Sequence, residues 1–234
     1  MNSTQLVLLP GLDGTGELFA DFVTALPASL AANPVAYPRD RFLSYSELLP
    51  LVANAARSSK SFVLLAESFS APLAIRHAAT EPANLEALVI CAGFAINPVP
   101  NLSGLLKMAA RPLMFRLPSP DSLLKRYLAG PNALPALLHE LRRVLRSVDA
   151  AVLSSRLREV FECDVRNDLA KVRVPVMYLR PTNDRLISNR CINSMRQAKP
   201  DMIVQSIAAP HMVLQREPLK SAMLIADFIR QFGF

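Results

Sequence analysis

Short apolar runs alternate with amphipathic stretches along the chain. Gln5 to Leu9 is a β-type run that stops at Pro10-Gly11, and Leu18 to Leu26 carries apolar residues at helical spacing. Val35 to Tyr37 predicts a short strand between prolines, Glu47 to Arg57 a helix, Ser61 to Ala66 a compact apolar strand and Ala71 to Thr80 a second helix. Leu85 to Cys91 reads as another buried strand. Strand and helix alternate in this way when a parallel sheet is covered on both faces.

After Gly93 the alternation breaks. From Pro98 to about Glu162 the spacing predicts only proline-punctuated helices; Leu134, Leu137, Leu138, Leu141, Val144, Leu145 and Val148 form one apolar stripe. Pro175 to Arg180 and Met202 to Ile207 return to strand, and Leu219 to Phe232 closes with an amphipathic helix. The expectation is an α/β fold: a mostly parallel sheet flanked by helices, with a helical cap inserted at about 94–165.

A length of 234 residues, half of them apolar, suits one globular domain spanning 1–234. The longest apolar run, Ala87 to Ile96, is shorter than the roughly 20 residues that cross a bilayer, so no transmembrane segment is expected. Met1-Asn2-Ser3-Thr4 lacks the basic and apolar regions of a signal peptide, which makes the cytoplasm the expected compartment. Cys91, Cys163 and Cys191 are spaced for neither a disulfide framework nor zinc, and read as reduced, buried thiols. The net charge of +7 is spread over single and paired basic residues without the motifs of base recognition, so nucleic acid is not an expected partner. A preference for anionic substrates is compatible with it.

Ala66-Glu67-Ser68-Phe69-Ser70 lies between a buried strand and a helix, the setting of a nucleophile elbow, whose commonest form is G-x-S-x-G. So sharp a turn strains the central residue and needs small neighbours two before and two after it, as Ala66 and Ser70 are. An ordinary junction with Ser68 as an N-cap is the plainer alternative. Leu9-Pro10-Gly11-Leu12-Asp13-Gly14-Thr15-Gly16 holds three of the seven glycines in the loop after the first strand, where backbone N–H groups can converge on an anion. The oxyanion donors are assigned to the N–H of Leu12 and of Phe69, with Gly11 and Asp13 beside them as substrate-binding residues. A phosphate loop competes, but Gly-Lys-Ser/Thr and a full G-x-G-x-x-G are absent; a plain turn is the third reading.

A serine needs a base, and there are three histidines. His77 lies nine residues beyond Ser68 on a predicted helix, roughly 13 Å along its axis at about 1.5 Å per residue, too far to reach. His139 sits on the flank of the insertion's stripe. His211, on the loop after the last strand, remains. Asp184, on the turn-rich loop after Pro175–Arg180, can accept its Nδ1 proton; capping a turn or pairing with Arg185 is the alternative.

With these residues in view, the chain resembles the α/β-hydrolase superfamily over nearly its whole length. Strand, Pro10-Gly11 loop, Ser68 elbow, helical insertion, Asp184 loop and His211 loop occur in the family's order. The resemblance implies a Ser68–His211–Asp184 triad, oxyanion donors at Leu12 and Phe69, and a cap formed by the insertion. The Leu9-to-Gly16 and Glu67-Ser68-Phe69 segments look like those of small bacterial hydrolases and of the hydrolase part of plant phytyl ester synthases. Three positions depart from the pattern: Pro10 where many relatives have histidine, and Ala66 and Ser70 in place of the elbow glycines. Serine at 68 argues against dehalogenase or epoxide-hydrolase chemistry, which needs a carboxylate nucleophile.

The implied activity is hydrolysis of a small-molecule carboxylic ester or thioester through an acyl-enzyme, with no metal or organic cofactor. An acyltransferase using the same residues and a non-catalytic ligand-binding protein of this fold are the alternatives. Leu102, Leu105, Leu106, Leu113, Met114 and Phe115 suggest an apolar roof over the site, or packing against the core. Arg111, Arg116, Arg142 and Arg143 offer contacts for an anionic group or an acidic carrier protein; a solvated helix face is the plainer reading.

Overall fold

The computed structural model describes residues 4–57, 59–100, 111–117 and 119–233. Six strands, β1 (Thr4–Leu9), β2 (Leu30–Pro34), β3 (Phe62–Glu67), β4 (Leu85–Cys91), β5 (Val176–Pro181) and β6 (Ile203–Ile207), form one sheet in the order β2-β1-β3-β4-β5-β6, with every pairing parallel. β3 is buried along its whole length, as a strand covered on both faces must be, so it reads as an unbroken apolar run.

Alternate strand residues feed two cores. Val7, Leu9, Leu64 and Ile90 pack with α2 (Tyr45–Ala56), α3 (Ala71–Ala78) and α9 (Asn189–Ala198). Leu6, Leu8, Val63 and Leu65 pack on the other face with α1 (Ala20–Thr24), α10 (Val213–Arg216) and α11 (Pro218–Gln231). α2 starts on a capping box in which the Ser44 hydroxyl accepts from the Glu47 N–H and the Glu47 carboxylate accepts from the Ser44 N–H.

The described part of the segment between β4 and β5 is mostly helical. Its described helices are α4 (Pro112–Arg116), α5 (Asp121–Leu124) continued by a π turn at Lys125–Ala129, α6 (Pro135–Arg146), α7 (Ala150–Phe161) and α8 (Arg166–Leu169). Its two ends are clasped together: the Asn97 N–H donates to the Cys163 carbonyl at 2.8 Å and the Val165 N–H to the Ala95 carbonyl at 2.8 Å. Phe115 faces inward against Val148, Val152 and Leu153, whereas Leu113 and Met114 are exposed; Leu102, Leu105 and Leu106 lie outside the described residues. Among the described residues, no helix is long and apolar enough to cross a membrane.

Two elements differ from the sequence expectation. The second strand is Leu30–Pro34, paired along β1, and Val35–Tyr37 runs on as extended chain, its Val35 and Tyr37 N–H groups donating to the carbonyls of Leu8 and Gly14. β2 is an edge strand, half-buried and ending in a proline, so it lacks the apolar signal of the interior strands. α9 is not predicted at all: it is mostly polar and buries only Cys191, Ile192, Ser194 and Met195.

Candidate active site

The strand order reverses beside β1, since β2 lies on one side of it and β3 on the other. Open parallel sheets bind ligands outside the carboxyl ends of the strands at such a point. The loop after β1 carries Leu12 and the turn after β3 carries Ser68, so topology brings these two segments to one crevice.

Ser68 has φ of 48°, in the left-handed region that a side-chain-bearing residue enters only when its surroundings force it. Its Oγ lies 2.9 Å from His211 Nε2, and His211 Nδ1 lies 2.8 Å from Asp184 Oδ2. The loops bearing the latter two residues are stitched together, as the N–H groups of Thr182 and Asn183 donate to the carbonyls of Ile207 and Ala209. Asp184 is fixed in turn by the N–H groups of Leu186 and Ile187, which donate to its Oδ1 at 2.7 and 3.1 Å. The structure therefore brings Ser68, His211 and Asp184 into one hydrogen-bonded line. His77 is buried beside Phe62 with its Nε2 unpartnered, and His139 is exposed on α6.

Burial alone would push the His211 pKa down; the Asp184 charge and hydrogen bond, with the charge of Glu67, outweigh it and leave the imidazole above its ordinary 6.5. Glu67 is itself buried, which raises its carboxyl to about 7 despite the Gln215 amide that donates to it at 3.3 Å. The three thiols are free and buried, and burial raises Cys91, Cys163 and Cys191. They are poor nucleophiles in that state.

Leu12 and Phe69, the residues of the two expected oxyanion donors, line the same cavity as Ser68. The Gly14 N–H donates to the Gly11 carbonyl at 3.0 Å; across the trans peptide, that turns the Leu12 N–H the opposite way. Phe69 occupies the second position of a short helix, Ser68–Ser70, where an N–H has no partner within the helix. Its ring stacks on Tyr45 with centroids 4.9 Å apart, and its carbonyl accepts from the Tyr45 hydroxyl at 2.8 Å, so this peptide is held rigidly. Ser70 stands in place of the elbow glycine because its hydroxyl is used: it donates to the Pro10 carbonyl and lies 2.7 Å from the Tyr37 hydroxyl, joining the elbow to the first loop.

Gly11, Leu12, Asp13, Ser68, Phe69 and His211 share a cavity of about 400 Å³. Its walls are apolar, with Leu18, Phe94, Leu128, Leu141, Leu157 and Phe161 among them, and no lysine or arginine is among its described lining residues. Asp13 is more a part of the loop than a free ligand, since its Oδ1 accepts from the Thr15 N–H and hydroxyl. Arg142 pairs with Asp121, and Arg143 with Glu17 and Glu140; Arg111 and Arg116 are exposed on α4 and its flank.

A sequence model of the alpha/beta hydrolase family matches residues 6–220. The chain belongs to the alpha/beta hydrolase family. The fold of this hydrolase is shared with solved structures of low sequence identity. The enol-lactonase from Burkholderia xenovorans LB400 superposes with a TM-score of 0.82 at 16% identity, over 98% of this chain and 92% of that one. MenH from S. aureus gives 0.81 at 13% identity over 100% and 96%. A lipase-esterase related protein from Clostridium acetobutylicum ATCC 824 gives 0.78 at 13% identity over 97% and 95%. No curated protein sequence matches the hydrolase closely enough to align.

Three residues around the site of this hydrolase were not singled out from sequence. Glu67 was the one with a signal, a lone carboxylate ending the apolar strand Phe62–Glu67. Gln215 on α10 and Arg156 on α7 had none, because their partners lie 148 and 143 or more residues away or, for Arg156, also at Pro38.

Proposed function

We propose that this hydrolase is a serine hydrolase of carboxylic esters or thioesters acting through an acyl-enzyme. The observation that supports it is the unbroken line from Ser68 Oγ to His211 Nε2 and from His211 Nδ1 to Asp184 Oδ2, at the floor of an apolar cavity. His211 takes the Ser68 proton as Oγ attacks the carbonyl, and the N–H groups of Leu12 and Phe69 receive the oxyanion. The imidazolium gives that proton to the leaving alcohol or thiol as the ester bond breaks, and water, deprotonated by His211, then attacks the acyl-enzyme and releases the acid and Ser68. A fluorophosphonate probe is expected to label the folded protein at Ser68 and to leave Ser68→Ala unlabelled. Unlabelled wild type, or labelling that survives in Ser68→Ala, overturns the reading.

The pH dependence carries a sign. His211 works as a base only when neutral, and its pKa is raised, so kcat/KM falls as pH drops with a midpoint above 6.5. A midpoint below 6.5 in an ester-hydrolysis pH profile contradicts the assignment of that proton to His211.

The charge of the cavity selects substrates in the direction opposite to the net charge of the chain. A carboxylate on the acyl chain would enter an apolar space beside Asp13 and Glu67, with no lysine or arginine among the described lining residues to meet it. A succinyl ester is therefore expected to show kcat/KM lower by about tenfold or more than the butyryl ester of the same alcohol. Equal rates would show that the acyl chain does not pass these carboxylates.

A further inference from the structure

One corner of the cavity gathers two carboxyls and an amide, and the described residues supply donors to only part of them: the Thr15 N–H and hydroxyl to Asp13 Oδ1 and the Gln215 amide to Glu67 Oε2. Glu67, 7% exposed, lies beside the nucleophile, and Gln215, 8% exposed, holds it through the amide Nε2. The other atom of that amide, Oε1, is buried with no hydrogen-bond partner. Asp13 reaches the same place: an ideal Cβ on Gly11 would lie 3.7 Å from Asp13 Oδ2 and 3.9 Å from Glu67 Oε2, so both carboxyls face a space about the size of a methyl group over Gly11. All four residues line the cavity. Arg156, which feels the charge of Asp13, donates to the backbone carbonyls of Leu12, Asp13 and Pro38.

We infer that the Asp13–Glu67–Gln215 corner is a specificity site for a substrate that carries a hydrogen-bond donor, a hydroxyl or a protonated amine, within a few bonds of the scissile carbonyl. Buried acceptors are costly when unpaired, and a site built of them favours the ligand that supplies the donor over the analogue that lacks it. Burial is the main cause of the raised Glu67 pKa; the Asp13 charge adds to it, while the Gln215 hydrogen bond and the His211 charge oppose it. The inference rests on the serine-hydrolase reading and gives the substrate class of that site: a mainly apolar ester bearing one donor near the carbonyl.

Ethyl butanoate, ethyl 3-hydroxybutanoate, ethyl 3-aminobutanoate and 2-hydroxyethyl butanoate, each donor-bearing ester with its O-methyl or N,N,N-trimethylammonium counterpart that lacks the O–H or N–H, separate the possibilities in a pH-stat assay. At least one donor-bearing ester is expected to exceed both the unsubstituted ester and its methylated counterpart by about tenfold in kcat/KM. Which of the three does so distinguishes hydroxyl from amine and the acyl side from the alcohol side. In Glu67→Met that advantage should shrink below about threefold, and likewise in Gly11→Ala, where the added methyl group fills the space between the carboxyls at ordinary contact distances. A purely structural role would lower the rates of all esters together and leave the ratio unchanged. No advantage in the wild type, or an advantage that persists in both variants, overturns the inference while leaving the serine hydrolase intact. Failure of every ester together with absence of fluorophosphonate labelling overturns both.

Discussion

Asp184→Asn is expected to fold normally and to lose about 10⁴-fold in kcat on any ester that the wild type cleaves. The side chain is held from two directions, by the N–H groups of Leu186 and Ile187 on Oδ1 and by the His211 imidazole on Oδ2. Asparagine keeps the first set through its carbonyl oxygen, so the loop survives. Its amide then presents N–H where the carboxylate presented a lone pair, and Nδ1 of His211 must become the acceptor. The ring proton moves to Nε2, the atom 2.9 Å from Ser68 Oγ, and His211 can no longer receive the serine proton. Steady-state kinetics beside a denaturation curve separates this from unfolding: kcat collapses while the unfolding midpoint stays close to that of wild type. Because the three residues act as one unit, Ser68→Ala combined with Asp184→Asn should be no slower than Ser68→Ala alone. Rates that multiply in the double variant would show that Asp184 acts independently of Ser68.

Much of this architecture is legible in the sequence where burial is two-sided or turn chemistry is explicit. β3 and β4 lie between two cores and read as continuous apolar runs, and Pro10-Gly11 ends β1 as its backbone requires. Ser68, Asp184 and His211 could be placed because each follows a strand at the same sheet edge. What escaped notice depends on contacts between segments distant in sequence. β2 is an edge strand with no fully buried position, and α9 is mostly polar, so neither has enough apolar residues to stand out locally. Glu67 has no role that the elbow pattern assigns, yet its side chain joins α10 through Gln215 and approaches Asp13 over Gly11. Ser70 looked like a tolerated substitute for glycine, and its hydroxyl turns out to bond the first loop.

Arg156→Met should destabilise the protein by about 3 kcal/mol and, in the fraction that stays folded, reduce kcat by roughly 10 to 100-fold. Arg156 is 1% exposed and its guanidinium donates to the carbonyls of Leu12 at 3.0 Å, Asp13 at 2.6 Å and Pro38 at 2.9 Å, while its flat face lies over the Tyr37 ring. It comes from α7, so the helical insertion reaches down and grips the loop after β1. Gly14 must be glycine for the same reason: it has φ of 71°, and a Cβ there would lie 2.3 Å from an Arg156 nitrogen. Methionine fills much of the volume but leaves three carbonyls without their donor, and the peptide planes that set the direction of the Leu12 N–H become free to turn. The desolvation cost of the buried cation disappears with it, which keeps the net loss well below the sum of three severed charge-assisted hydrogen bonds. Arg156→Lys restores charge but not the planar fork that spans three acceptors, so it should recover part of the stability and little of kcat. Denaturant midpoints and kcat measured on the same preparations decide the matter. If folded Arg156→Met turns over esters at the wild-type rate, the loop holds its shape without the arginine, and the insertion serves only as a wall of the cavity.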